Sequence, residues 1–227
     1  RTTPLHPPAV SGRMAALSHI AGKLAELHLA TLDRIDGWVR EGKTMPYEYS
    51  RQWADWTLSL VDRLEQMGQA VFSHRERDAL LATAERFYAA YSPDTVKSPY
   101  TFTHGDPHWD NVLFLDGKIT LIDWEFGRAA PPARDIAILL LDEPDDGAVD
   151  HLFRLYADRL IGSGYPGDRE GLLADFERMM VDNAFMMLGW RLELFRRGDL
   201  TAEEMKPIAR RMSERLFRFW RRLIRSC

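Results

Sequence analysis

The sequence predicts a mainly helical (α+β) fold that carries one small β hairpin near its middle. Apolar residues recur at helical spacing through most of the chain, whereas residues 100–122 show the shorter period of strands. Two strand-like runs in that stretch, 111–115 and 118–122, are separated by Asp116-Gly117, a dipeptide that favours a two-residue hairpin turn. We therefore expect helices on both sides of a single hairpin.

Three helices are predicted before the hairpin, over residues 11–29, 46–67 and 73–90. Ser11 and Ser73 are of the residue type that caps helix N-termini, so they would begin the first and the third helix. The second helix is rich in aromatic residues at helical spacing.

The first two helices are separated by a polar break at residues 36–45. After the hairpin, helical periodicity returns at 133–141 and continues to the C-terminus, with breaks near 162–167 and 197–199. The hairpin is thus the one β feature that the pattern predicts with a turn signal.

Composition is that of an ordinary globular protein. The 227 residues suffice for one substantial domain, and 45% of them are hydrophobic and 28% charged. A formal net charge of −4 gives no reason to expect a nucleic-acid partner. The single cysteine, Cys227, excludes an intrachain disulfide, and neither a membrane-spanning run nor a signal peptide is found. We expect a cytoplasmic protein with no membrane partner.

The segment around the hairpin contains the residues suited to catalysis. Asp106 precedes the first strand, Asn111 opens it and Asp123 ends the second. Antiparallel pairing would bring Asn111 and Asp123 close together, and their hard oxygen atoms suit Mg²⁺. Phosphoryl transfer needs such a metal site and an Asp that orients the attacking hydroxyl. The segment therefore indicates a phosphotransfer site.

The motifs of this segment, taken in order, resemble those of the aminoglycoside phosphotransferase and choline kinase-like superfamily, which has a protein kinase-like fold. They are His104-Gly105-Asp106-x-His108-x-x-Asn111, Ile122-Asp123-Trp124-Glu125 and Arg134-Asp135-Ile136-Ala137. The spacing between Asp106 and Asn111 is also that of the catalytic loop of protein kinases. A single such spacing means little, but the full ordered combination is specific.

The resemblance implies a role for each matching residue. Asp106 would be the catalytic base, and His108 would assist at the transferred phosphate. Asn111 and Asp123 would be the Mg²⁺ ligands and, through the metal, would bind the ATP phosphates.

Two further residues, His104 and Asp135, are implied to support the catalytic loop without chemistry of their own, Asp135 through hydrogen bonds to the loop backbone. The resemblance covers nearly the whole chain but only the C-terminal lobe of the family. No phosphate-covering loop or strand lysine is found before residue 100, so we expect the N-terminal lobe to be absent from this chain. The isolated lobe would then have weak activity or none.

The domain organisation implied by the resemblance is a single kinase-like C-lobe at 1–227. Within it we expect a helical subdomain at 10–95, the catalytic loop and hairpin at 100–130, and a helical substrate-side region at 131–227. The expected function is ATP- and Mg²⁺-dependent O-phosphorylation of a small molecule, which could be aminoglycoside-like, choline-like or another alcohol.

Acids and aromatic rings on the substrate side are candidates for lining the acceptor site. Acids attract a cationic amino-sugar, and aromatic faces hold a quaternary ammonium group. The main candidates are Trp109, Asp110, Glu125 and Trp190, with Asp142, Glu143, Asn183 and Glu193 as further members. For Trp190, burial in a helix-packed core is the commoner outcome.

Other interpretations use the same residues. Asp106, Asn111 and Asp123 could be a turn acid, a turn amide and a strand-end cap. The chain could also be a non-catalytic, pseudokinase-type binding or scaffolding domain that retains a relic metal site.

A transition-metal hydrolase is a further alternative, because His104, Asp106, His108 and Asp110 alternate as H-x-D-x-H-x-D. Imidazole and carboxylate ligands suit Zn²⁺ or Fe. Such sites usually need further histidines from later loops, and only His151 follows His108. The phosphotransfer interpretation is therefore favoured.

Overall fold

The computed structural model describes residues 10–115 and 118–225, and the side chains of residues 12–113 and 118–225. The described chain forms two compact units. The first comprises the described residues within Arg1–Glu48 and Val96–Phe176, and the second those within Tyr49–Thr95 and Glu177–Cys227. Both are dominated by helices, and the strands are short, which confirms the mainly α fold class.

In its described residues the first unit contains four short strands and several helices. Its elements are α1 (Val10–Thr31), a 3₁₀ turn (Leu32–Arg34), α2 (Ile35–Arg40), β1 (Thr101–Thr103), a 3₁₀ turn (Trp109–Asn111), β2 (Val112–Leu115), β3 (Lys118–Leu121), β4 (Arg128–Ala130), α5 (Ala133–Leu141), α6 (Asp146–Gly162) and the start of α7 (Arg169–Arg197).

The predicted hairpin is present. Strands β2 and β3 pair antiparallel, with Val112 opposite Leu121 and Leu115 opposite Lys118. The turn expected at Asp116-Gly117 lies outside the described residues. Strand β1 lies at the start of the stretch 100–122 in which strand-like periodicity was predicted.

Strand β4 was not predicted. It pairs antiparallel with β1, with Thr101 opposite Ala130 and Thr103 opposite Arg128. The segment before the second predicted helix reaches the same strand, because the Tyr47 amide donates to the Ala129 carbonyl at 2.8 Å. That pairing is one reason why the helix does not begin at residue 46.

The core of the first unit lies where α1 meets α5 and α6. Leu17, Ile20 and Leu24 of α1 are fully buried, and all nine residues of α5 are buried as well. Burial of each large aliphatic side chain stabilises the folded state by about 1.5–3 kcal/mol, before the loss of conformational entropy is subtracted. The packing makes α5 a rigid base for the loops that precede it.

The second unit is a helical assembly. It contains α3 (Gln52–Gln66), α4 (His74–Ala90), a 3₁₀ turn (Pro93–Thr95), the greater part of α7 and α8 (Ala202–Leu223). Helices α3 and α7 pack closely at Gly189, where an added Cβ would lie 2.5 Å from the Thr57 hydroxyl. The Thr57 hydroxyl also donates to the Phe185 carbonyl at 2.7 Å.

The helix boundaries show where local sequence signals hold and where they do not. Ser73 caps α4 as predicted, in a reciprocal capping box with Glu76. Ser11 lies inside the first helix, which begins at Val10, and not before its first residue as predicted. The predicted polar break at 36–45 contains part of a short helix, α2.

Among the described residues, no helix combines the length and the apolar character needed to cross a membrane.

Candidate active site

The loop after β1 is held in place by one buried carboxylate. Asp135, in the first turn of α5, is fully buried. Its Oδ2 accepts the backbone N–H of His104 at 2.8 Å, and its Oδ1 accepts the backbone N–H of Gly105 at 2.8 Å. Because each carboxylate oxygen takes one amide, the position of α5 determines the position of the loop.

Asp135 keeps its charge in this buried position. Burial alone would raise the pKa of Asp135, but the hydrogen bond and the electrostatic influence of His28, with Arg134 and the Gly105 amide, hold that pKa below its ordinary value. An ionised carboxylate is the stronger acceptor, so the loop amides are bound to the charged form.

Gly105 is required by the shape of the loop. Its φ is +86°, and an added Cβ would lie 2.3 Å from the Phe126 carbonyl oxygen and 2.7 Å from the Arg134 guanidinium. A residue with a side chain would therefore be strained in its backbone and would also collide with two neighbours.

His104 connects the loop to the end of β3. Its Nε2 lies 2.8 Å from the Ile122 carbonyl, and its Nδ1 accepts the Asp106 N–H at 3.2 Å. The ring is therefore the Nε2–H tautomer, and both nitrogens are used inside the protein. This arrangement opposes the transition-metal interpretation, in which a nitrogen of His104 would have to ligate the metal.

The side chains of His108 and Asn111 both contact the same carboxylate oxygen of Asp106. His108 Nε2 lies 3.1 Å from Asp106 Oδ2, and the Asn111 amide donates to the Asp106 carbonyl at 2.9 Å and to Oδ2 at 3.1 Å. Because His108 Nδ1 accepts the Asp110 N–H at 3.2 Å, its Nε2 is the donor to Asp106. Both side-chain contacts fall on Oδ2, and no described residue donates to Oδ1.

Asp123 lies beside this group because of the strand register. Ile122 donates its amide to the Asn111 carbonyl at 3.0 Å, and Asp123 is the next residue. Asp123 is the one described non-glycine residue with positive φ, at +61°. Asp is among the residues that tolerate this left-handed conformation. Its carboxylate is exposed, unlike the buried Asn111.

Arg134 fixes the turn that follows Asp123. Its guanidinium donates to the Thr103 hydroxyl at 3.0 Å and to the Phe126 carbonyl at 3.1 Å, and it stacks 4.7 Å from the centre of the Tyr47 ring. Arg134 and Asp135 are neighbours on α5, so one helix turn holds both the loop after β1 and the turn after Asp123.

The residues present fit a magnesium ion. The amide nitrogen of Asn111 is used in the bonds to Asp106, which leaves its Oδ1 as the atom that could face a cation. With Asp123 this gives one carboxamide and one carboxylate oxygen, and Mg²⁺ typically takes only one or two protein ligands beside water and phosphate oxygens. In the described part of the chain, no three His, Cys, Asp or Glu side chains form a metal-binding group.

The candidate substrate-lining residues of the first unit lie in different environments. Asp110 and Glu125 are exposed, whereas Trp109 lies with its ring 5.8 Å from the Arg13 guanidinium. Arg13 also donates to the buried Glu143 at 2.8 Å. Trp109 and Glu143 are thus linked through Arg13.

Trp190 belongs to the second unit and is 44% exposed, so it is not a core residue. Its ring contacts Trp56 edge to face at 5.7 Å and borders a groove of about 510 Å³. Glu193 lines the same groove and pairs with Arg196 at 2.6 Å, and this hydrogen bond lowers the pKa of Glu193. Asn183 is buried in the same unit.

Sequence reasoning missed the partners that support the loop from behind. His28 lies in no motif that marks it as functional, and Arg134 is marked only as part of a motif. Tyr156 was not identified at all. Adjacency to Asp135 is a usable signal for Arg134, but the contact between His28 and Asp135 spans 107 positions and has no local signature.

Comparison with known proteins decides the family. The sequence profile of the Phosphotransferase enzyme family (APH) matches residues 4–170. The chain belongs to this phosphotransferase family. The superfamily inferred from the catalytic motifs is thereby confirmed. No curated protein sequence matches the chain.

Solved structures of three kinases share the fold of this chain. An amicoumacin kinase, hAmiN, superposes with a TM-score of 0.60 at 14% identity, covering 95% of this chain and 63% of its own. A choline/ethanolamine kinase family protein from Mesorhizobium loti gives 0.57 at 14%, covering 96% and 66%. Choline kinase LicA from Streptococcus pneumoniae gives 0.55 at 15%, covering 95% and 66%. The chain therefore spans just under two thirds of the length of these structures.

Proposed function

We propose that this phosphotransferase moves the terminal phosphoryl group of ATP, with Mg²⁺, to a hydroxyl group of a small molecule. One observation supports the proposal above the others. Asp106 has one carboxylate oxygen held by His108 and Asn111, while its other oxygen receives no bond from the described residues. A carboxylate fixed in this way can accept a hydrogen bond from an alcohol and orient it.

Each residue of the group has a distinct task in the proposal. Asp106 would orient the acceptor hydroxyl and accept its proton as the oxygen attacks phosphorus. His108, through its Nε2–H, would hold the Asp106 carboxylate in that orientation. The expected assistance of His108 at the phosphate would require its Nε2–H to bind a phosphate oxygen in place of Asp106.

Asn111 Oδ1 and the Asp123 carboxylate would hold Mg²⁺. When bound, the metal would neutralise charge on the ATP phosphates and keep the transferred group in line. Two solved kinase structures of this fold contain a nucleotide, which supports the proposal that this protein uses one. The amicoumacin kinase is a complex with AMP-PNP and Ca²⁺, and a spectinomycin phosphotransferase is a complex with ADP.

The acceptor proposed is a small alcohol of the kinds named for these kinases, such as choline or spectinomycin. Exposed acids beside the loop, Asp110 and Glu125, would favour an acceptor that carries an amine or ammonium group.

The decisive test is ADP release by the protein as it is naturally expressed, with a panel of choline, ethanolamine, aminoglycosides and simple polyols. We expect turnover with at least one acceptor. In the Asp106→Asn variant kcat should fall by about 10²–10⁴, as for other proton-accepting residues, while the unfolding free energy stays near that of the wild type.

The matched control is Asp78→Asn, the same change at an exposed position of α4, which should leave kcat unchanged. Near-normal turnover by Asp106→Asn would refute the role of Asp106. Nucleotide binding without turnover on any acceptor would favour the non-catalytic binding domain instead.

A further inference from the structure

A buried histidine outside the active site touches the residue that holds the catalytic loop. His28 of α1 is fully buried, and its Nε2 lies 3.1 Å from Oδ2 of Asp135. The same Oδ2 accepts the His104 amide. Because the carboxylate can only accept, His28 Nε2 is the donor, and it shares one oxygen with the loop.

The other side of the ring is fixed as well. His28 Nδ1 lies 2.6 Å from the hydroxyl of Tyr156, on α6, and that hydroxyl lies 3.3 Å from the carbonyl of Pro132, which precedes α5. The two rings also meet edge to face, with centres 5.9 Å apart. Tyr156 is fully buried, so bulk solvent does not reach either hydrogen bond in the folded protein.

We propose that His28 is a positioning residue for phosphoryl transfer: locked by Tyr156, it fixes the Asp135 carboxylate and so the amides of the catalytic loop. This inference rests on the proposed function of Asp106. The path is short and continuous, since Asp106 directly follows Gly105 and donates its own amide to His104. The orientation of Asp106 therefore depends on a hydrogen bond made by a helix that contributes no reacting group.

Removing the donor frees the carboxylate to turn. In His28→Leu, Oδ2 of Asp135 keeps only the His104 amide, so we expect the carboxylate and the loop to lose their fixed orientation. Misplacing a catalytic group by about 1 Å can cost about 10²-fold in rate. We therefore expect kcat to fall by about ten- to a hundredfold, with KM for nucleotide and acceptor changed by less than about threefold.

The exchange rates of the loop amides, compared with those of core amides, distinguish a positioning role from a purely structural one. A purely structural loss of stability would raise the exchange rates of loop and core amides alike. In His28→Leu the His104 and Gly105 amides should exchange about tenfold faster or more, relative to core amides of α5 such as that of Leu140. This measurement needs no acceptor, so it decides the proposal even if no phosphotransfer is found.

Two milder variants guard against misfolding. His28→Gln carries a donor and an acceptor side by side and should restore part of both kcat and amide protection. Tyr156→Phe removes one hydroxyl and leaves the His28 ring held from one side, so both effects should be present but smaller. His19→Leu, at an exposed position of the same helix, should match the wild type.

Each outcome either supports or overturns the proposal. Selective loss of loop protection with lowered kcat, partly rescued by His28→Gln, supports the proposal. Wild-type loop protection in His28→Leu overturns it, as does protection lost equally by loop and core amides. If His28→Leu does not fold, wild-type loop protection in both Tyr156→Phe and His28→Gln overturns it.

Discussion

At Asp123 the side chain of a proposed metal ligand occurs together with an unusual backbone conformation. Its φ of +61° is costly for most residues but is tolerated by Asp and Asn, whose short polar side chains bond locally. The conformation follows the last hairpin strand and begins the turn that ends at Gly127, where the Gly127 amide bonds the Trp124 carbonyl at 2.9 Å. The residue type therefore serves both the turn and the proposed metal site.

Two substitutions at Asp123 separate these roles. Asp123→Asn should keep the unfolding free energy within about 0.5 kcal/mol of the wild type, whereas Asp123→Ala should lower it by about 1 kcal/mol because Ala resists the left-handed region. Urea unfolding of both variants measures the difference. Equal stability of the two variants would show that the backbone conformation does not select the residue type.

Gly105 is a second residue whose type is restricted, both by its backbone conformation and by its close neighbours. Gly105→Ala should destabilise the protein by at least about 1–2 kcal/mol from the positive φ alone. It should also lower kcat, because the Cβ would push against the Phe126 carbonyl and the Arg134 guanidinium. Thermal unfolding and ADP release measure the two effects.

The matched control for this substitution is Gly37→Ala. Gly37 lies in α2, and nothing lies within 4 Å of the position of its Cβ. Replacing Gly by Ala at a compatible helical site should stabilise the protein by about 0.4–1 kcal/mol. Equal effects at the two glycines would contradict the requirement for glycine at position 105.

Helix α5 is the element on which the site depends. All nine of its residues are buried, and its first turn supplies both Arg134 and Asp135. The helix therefore behaves as a fixed support, and the loops that contain Asp106 and Asp123 are tied to it by short hydrogen bonds. The packing of this helix therefore fixes the positions of the loop residues that are bonded to it.

The charge of Asp135 should make this element sensitive to acid. Because its folded-state pKa is lowered, its contribution to stability is fully present above about pH 4, the ordinary pKa of Asp, and is lost as the pH falls through the lower folded-state value. We expect the unfolding free energy to fall below about pH 4, partly because of this residue.

The Asp135→Asn variant tests the assignment. Its amide group must face one of the N–H donors that Asp135 accepts, so it should be about 1–3 kcal/mol less stable at about pH 7. Its stability should also fall less steeply than that of the wild type between about pH 5 and about pH 3. A wild-type pH slope in the variant would contradict the role given to Asp135.

At the scale of the whole molecule, local signals predicted more of the chain than long-range ones. The capping box at Ser73, the hairpin strands and α5 could be predicted because turn residues and periodicity mark them within a few positions. Strand β4 could not, because Arg128–Ala130 has little strand propensity of its own and forms by pairing with β1.

In the candidate site, too, local motifs predicted some residues, whereas contacts between distant positions were not predicted. Asp106, Asn111 and Asp123 were identified from short motifs, and the structure brings Asp106 and Asn111 into contact and Asp123 beside them. Their roles stay a prediction, as do the domain boundaries. The supporting contacts of His28 and Tyr156 join α1, α5 and α6, and no local pattern encodes a contact across 128 positions.

The claim on which this account depends is that Asn111 and Asp123 hold the metal that binds nucleotide phosphates. Calorimetric titration with Mg²⁺ and ATP, comparing the naturally expressed protein with its Asp123→Ala variant, tests it most directly. We predict measurable binding by the wild type and affinity lower by about tenfold or more in the variant, as the loss of a charged ligand requires. Equal affinity in the two proteins, or no binding by the wild type, would contradict the account.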